Sequence, residues 1–159
     1  MTSCLLKIPR FGPLRLVASS QGLVRLQIGV RTRTSGDKTI PAHPWLRQAT
    51  KELKEYFAGK RSTFTTPLDL TTGTPFMRKV WTALQQIPYG EVRSYGDIAQ
   101  MAQRPNGARA IGLANHHNPL PIFIPCHRVI LGNGQLGGYA PGIRYKRKLL
   151  QLEKHGCQL

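Results

Sequence analysis

The chain has 159 residues, of which 40% are hydrophobic, and its 23 Lys/Arg against 7 Asp/Glu give a formal net charge of +16. That length allows one domain or two small ones with a packed core, and that charge favours a polyanionic partner, nucleic acid ahead of an anionic membrane surface. No stretch approaches the roughly 20 apolar residues of a membrane span, and three cysteines (Cys4, Cys126, Cys157) are too few for a disulfide scaffold, so a reducing compartment is expected.

The first third reads as strand, strand, helix. Two apolar runs, Leu14–Ala18 and Leu23–Ile28, flank Ser19-Ser20-Gln21-Gly22 and predict a hairpin. The first 36 residues carry six Lys/Arg and no Asp/Glu, as organellar transit peptides do, but strand pairs are not the amphipathic helix such peptides form. Nor is a secretory signal expected. Leu46, Thr50, Leu53 and Phe57 follow helical spacing, with Gly59 as the stop. Residues 60–72 are Thr-rich and aperiodic, a linker or edge crossing, which places a domain boundary near residue 68.

The second half is mainly helical. Thr74-Pro75 is an N-cap followed by Pro at the first helical position, and Phe76, Val80, Trp81 and Leu84 form an apolar stripe. Pro88-Tyr89-Gly90 ends that helix. Ser94-Tyr95-Gly96-Asp97 has the pattern of a capping box and starts a short helix through Ile98 and Met101. A turn at Arg104-Pro105-Asn106-Gly107 leads to a second short helix, from Ala108 to about His116. Two short helices joined by a tight Gly-containing turn predict a helix-turn-helix, whose second helix enters a groove of duplex DNA. Its small residues equally suit a plain helical hairpin. Between Ile98 and Leu152 there are seven Lys/Arg and no Asp/Glu, which favours the DNA reading.

The stretch from Asn118 to Ile130 is the most informative. Prolines at 119, 121 and 125 exclude a regular helix, and the run Ile122-Phe123-Ile124 delivers Cys126-His127 to a buried place. A free thiol is only about 3% ionised at neutral pH, so a cysteine nucleophile is expected to have its pKa lowered by a base or a positive field. His127 is the adjacent candidate. The bland alternative is an inert buried cysteine, the reading favoured for Cys4 and Cys157. Cys126-His127 lacks chelate spacing, and His116-His117 diverge on a helix, so no metal is expected.

Pro125-Cys126-His127-Arg128-Val129 resembles the active-site signature of the O6-alkylguanine-DNA alkyltransferases. The resemblance extends in order and spacing through Ile87-Pro88-Tyr89-Gly90-Glu91-Val92, Ser94-Tyr95, Ala108-Arg109-Ala110-Ile111-Gly112, Asn118-Pro119, Gly138-Tyr139 and Leu149-Leu150-Gln151-Leu152-Glu153. It is strong from about residue 69 to 154 and loose over the first 68. It implies an α+β chain: an N-terminal domain (1–68) with a small antiparallel sheet and helix, then a mainly helical domain (69–159) carrying the helix-turn-helix. It also implies stoichiometric repair, in which the protein binds DNA from the minor groove and flips out the damaged base. The alkyl group of O6-alkylguanine then passes irreversibly to a cysteine, with O4-alkylthymine as a second candidate substrate.

Carried over by position, Cys126 is the acceptor, His127 its base through a bound water, and Glu153 the carboxylate that orients the histidine. Asn118 organises the turn before the cysteine, and Tyr95 donates a proton or hydrogen bond to the departing guanine. Val129, Tyr139 and Ala140 form the pocket wall. Arg109 is the finger that replaces the flipped nucleotide, with Ala108, Ala110, Gly112, Asn115, Gly96 and Arg104 completing the DNA-binding surface. The chain departs from the family pattern at Leu113, where Gly is common, and at Ala140, where some relatives have Ser. The partner implied is double-stranded DNA carrying O6-alkylguanine, met by a monomer without cofactor, in the cytoplasm (or the nucleus of a eukaryote). A non-catalytic damage-binding module and a cysteine hydrolase are the competing readings. The presence of Cys126 speaks against the first, and nothing in the basic charge calls for the second.

Overall fold

The computed structural model describes residues 1–30, 37–38 and 43–156. It divides into two compact units, Met1–Leu70 with Gln151–Leu159, and Thr71–Leu150. Cys157 lies outside the described residues.

In the first unit three antiparallel strands, β1 (Thr2–Ile8), β2 (Gly12–Ala18) and β3 (Leu23–Ile28), form a meander. A two-residue strand, β4 (Asp37–Lys38), pairs parallel to β1, giving the order β3-β2-β1-β4. The period of two buries one face: Cys4, Leu6 and Ile8 from β1, and Leu14, Leu16 and Ala18 from β2. Cys4 pairs with Leu16 and Leu6 with Leu14, so the buried side chains meet across the ladder. The hairpin read from sequence is β2–β3. Strand β1 was not foreseen; its alternation is blurred by the consecutive Leu5-Leu6.

Helix α1 (Pro44–Phe57) buries Leu46, Ala49, Leu53, Tyr56 and Phe57. It stops in a Schellman arrangement: Gly59 (φ +71°) and Lys60 donate to the carbonyls of Tyr56 and Glu55. The Thr-rich stretch that follows is anchored, not loose. Thr65 and Thr66 donate both main-chain and hydroxyl hydrogens to the buried Glu52, and Leu23 exchanges backbone hydrogen bonds with Pro67 and Asp69. A side chain at Gly22 would meet the Pro67 carbonyl oxygen at 2.5 Å, so this crossing needs glycine.

In the second unit α2 (Pro75–Gln85), α3 (Tyr95–Met101) and α4 (Ala108–His116) pack on one another. The Thr74 hydroxyl accepts from Met77 N–H at the start of α2, and Trp81 Nε1 donates to the Ala114 carbonyl at 2.9 Å, fastening α2 to α4. Phe76 is only half-buried, with the Arg104 guanidinium 4.9 Å from its ring centre. The capping box at α3 is complete: Ser94 N–H donates to Asp97 (2.8 Å), and Asp97 N–H to Ser94 Oγ (3.1 Å). Asn106 at φ +63° and Gly107 turn the chain into α4. Two-residue strands β5 (Arg93–Ser94) and β6 (Val129–Ile130) pair in parallel. The last helix, α5 (Ile143–His155), runs from the second unit into residues grouped with the first.

Candidate active site

The chain from Asn118 to Val129 is almost wholly buried and not helical until Cys126–Arg128, a single 3-10 turn. The prolines force this path, and Ile122 is held at φ +78°. A β-branched residue there is strained, by about 1–3 kcal/mol, so the surroundings over-determine the turn. Asn118 does much of that. Its side-chain oxygen accepts from Leu120 N–H (2.9 Å), and its amide donates to the Ile124 carbonyl (2.9 Å) and to Cys126 Sγ (3.0 Å).

Cys126 sits at the wall of a cavity of about 370 Å³ shared with Tyr95, Gly112, Asn115, His116, Gly138, Tyr139 and Ala140. The β5–β6 pairing explains why Tyr95 is there: it fixes Ser94, the residue before Tyr95, against Ile130, four residues past the cysteine. Gly137, at φ +70°, packs against Leu131, whose side chain an added Cβ would meet at 3.3 Å.

The thiol departs from the sequence expectation. Burial pushes its pKa up to about 11, outweighing the Asn118 hydrogen bond, the charge of Lys146 and the main-chain N–H groups of residues 126 and 127. The resting group is therefore a thiol, because desolvation of the anion exceeds every favourable contact. What residue 127 brings to the sulfur is its main-chain N–H. His127 is buried; its Nδ1 has no hydrogen-bond partner, although the residue has other interactions.

Lys146 was missed by sequence reading. It is fully buried on α5, and its ammonium donates to the carbonyls of Val129 (2.6 Å), Leu136 (2.5 Å) and Gly138 (3.2 Å). All three ammonium hydrogens are thereby used. Burial lowers its pKa to about 8, with the neighbouring Cys126 pulling it the other way. In the sequence it is masked by Arg144, Arg147 and Lys148. The available signal was helical spacing: Lys146, Leu149 and Glu153 lie at i, i+3 and i+7 on one face.

The other anticipated residues divide. Tyr139 and Ala140 line the cavity; Val129 does not, being buried in β6 with its carbonyl bound by Lys146. Tyr95 is half-buried; burial and then the Cys126 charge raise its pKa, while the Asn115 side chain opposes this. Asn115 belongs to the cavity, whereas Ala108, Arg109, Gly96 and Arg104 are exposed. Arg104, Arg109, Ala110 and Gly112 line a separate open cleft along α4, together with the 57%-exposed Leu113. His116 and His117 do not diverge: His117 caps α4 outside the helix, and the rings meet edge-to-face at 5.4 Å. Glu153 belongs to the first unit, where it accepts from the Tyr56 hydroxyl at 2.6 Å. Cys4 is a buried core residue of that unit. Among the described residues no three His, Cys, Asp or Glu side chains form a metal-holding group, and no helix is long and apolar enough to cross a membrane.

Fold and site define a two-unit α+β protein with a cysteine-walled pocket carried beside a helix-turn-helix. Two family models match: the 6-O-methylguanine DNA methyltransferase ribonuclease-like domain over residues 5–70, and the DNA-binding domain of the same family over residues 75–155. The methylated-DNA–protein-cysteine methyltransferase of Mycobacterium leprae is 47% identical over 91% of this chain and 87% of its own length. That of Methanosarcina acetivorans is 43% identical over 89% and 92%. The crystal structure of Mycobacterium tuberculosis OGT in complex with DNA superposes with a TM-score of 0.86 at 44% identity, covering 97% of this chain and 93% of that one. The chain belongs to the 6-O-methylguanine DNA methyltransferase family.

Proposed function

We propose that this protein repairs duplex DNA by moving the O6-alkyl group of a flipped-out guanine onto Cys126, once per molecule. The observation that carries the reading is Cys126 Sγ in the wall of an open pocket, gripped by the Asn118 amide and sharing that pocket with Tyr95. In the step, the S–C bond forms as the alkyl carbon–O6 bond breaks. The thiol proton passes toward His127 through a water, and the leaving guanine takes a proton or hydrogen bond from Tyr95. A resting thiol near pKa 11 makes a base necessary, and the positive charge of Lys146 favours the anion as it develops. Glu153 orients the imidazole. The thioether is stable, and nothing nearby is equipped to hydrolyse it.

In this reading residues 69–159 carry chemistry and DNA contact, and 1–68 form the accompanying domain. The exposed end of α4 presents Arg109 to fill the gap left by the flipped base, whose extrusion costs a few kcal/mol. Ala108, Ala110 and Gly112 allow close approach of the backbone, with Gly96 and Arg104 beside them, while Asn115, Tyr139 and Ala140 border the base pocket. The charge of +16 supports a phosphate-rich partner bound without sequence preference. The working form is a cofactor-free monomer in the cytoplasm, or in the nucleus of a eukaryote. Intact-protein mass before and after exposure to an O6-methylguanine duplex tests this. The expected result is a gain of one methyl group, absent in Cys126→Ala; an unchanged wild-type mass would overturn the proposal.

A further inference from the structure

Tyr56 is the deepest polar side chain of α1: 0% exposed, edge-on to Phe57 at 5.2 Å and 5.4 Å from the Phe64 ring. Its hydroxyl donates to Glu153 Oε1 at 2.6 Å across 97 residues of sequence. A distance this short is typical of a phenol donating to an ionised carboxylate. Such a carboxylate only accepts, and fixing one oxygen fixes the direction offered by the other. Glu153 is buried near the C-terminal end of α5, where the helix dipole disfavours negative charge.

We infer that Tyr56 is a positioning residue for alkyl transfer: its buried hydroxyl holds the Glu153 carboxylate in a single orientation. The inference rests on the proposed role of Glu153 in orienting His127.

The test is a double-mutant cycle on the rate of Cys126 alkylation, using Tyr56→Phe, Glu153→Gln and the pair. The substrates are free O6-benzylguanine and an O6-methylguanine duplex, with duplex affinity and melting temperature measured beside the rate. Tyr56→Phe is expected to slow transfer about tenfold on both substrates at unchanged duplex affinity, and to add nothing once Glu153 is Gln. Site-specific 3-fluorotyrosine, which retains the hydroxyl and nearly the same volume, is expected to hold the rate within about twofold of wild type. If Glu153→Gln slows transfer while Tyr56→Phe leaves it unchanged, or slows it equally in both backgrounds, the inference is overturned and the role of Glu153 stands. If Glu153→Gln reacts at the wild-type rate, the role of Glu153 falls first and the inference with it.

Discussion

The two units bury ionisable groups in opposite ways. In the first, burial alone would raise the pKa of Glu52, but hydrogen bonds from Thr65, Thr66 and Gln48 outweigh it and hold the carboxyl below its ordinary value. In the second, burial wins: the Cys126 thiol is pushed up to about 11 and the Lys146 amine down to about 8. A buried charge saturated by its own loop belongs to the architecture. A buried pair displaced toward its neutral forms, beside an open cavity, holds unspent reactivity.

The sharpest way to break that contrast is Lys146→Met, which removes the cation near the thiol and the donor to three carbonyls. Alkylation of Cys126 is expected to slow on the order of a hundredfold, equivalent to about 2.7 kcal/mol, with a lowered melting temperature. A wild-type rate constant in stopped-flow or quench measurements would remove Lys146 from the chemistry.

Next in size, Arg109→Ala separates DNA handling from chemistry within the second unit. Repair of a duplex is expected to fall about tenfold or more, because an inserted side chain offsets part of the flipping cost. Reaction with free O6-benzylguanine is expected to stay at the wild-type rate. Equal losses on both substrates would contradict the separation.

Glu52→Gln is the mirror of the lysine change. It is expected to cost about 1–3 kcal/mol of stability while leaving the alkylation rate of the folded protein unchanged. The folded pKa is below the unfolded one, so this contribution is fully present above the unfolded value of about 4.3. It is lost as pH falls through the folded pKa. Denaturant melts from pH 7 to pH 3 therefore show the wild type losing its advantage over Glu52→Gln in the acid range. An advantage that grows on acidification would contradict the assignment.

Smallest of all, Ser94→Ala removes the cap of α3, at a cost of about 1 kcal/mol. Because Ser94 precedes Tyr95 and pairs with Ile130, a modest slowing of transfer is expected alongside the loss of stability. Chemical denaturation and the single-turnover rate check the two effects separately.

Much of the second unit was legible because its signals are local. Thr74-Pro75, the Ser94/Asp97 box and the Asn106-Gly107 turn each act over four residues or fewer, and they delimit α2, α3 and α4. Asn118 and Cys126 were found by their prolines and by resemblance. What escaped depends on distance or burial. Residue types alone do not reveal a desolvation penalty, so Cys126 was expected to titrate low and stands high. Lys146 looks like its three basic neighbours until its helix is packed. The Tyr56–Glu153 hydrogen bond joins residues 97 apart in sequence, and the positive φ of Ile122 contradicts its β-branched preference.

Single-turnover transfer to Cys126 can be counted. A known amount of protein is mixed with a molar excess of O6-methylguanine duplex, the repaired guanine is quantified to completion, and the modified peptide is mapped by mass spectrometry. Repair is expected to stop at one guanine per protein molecule, with the methyl group on Cys126. Repair continuing past one equivalent, or a methyl group carried on Cys4, would contradict it.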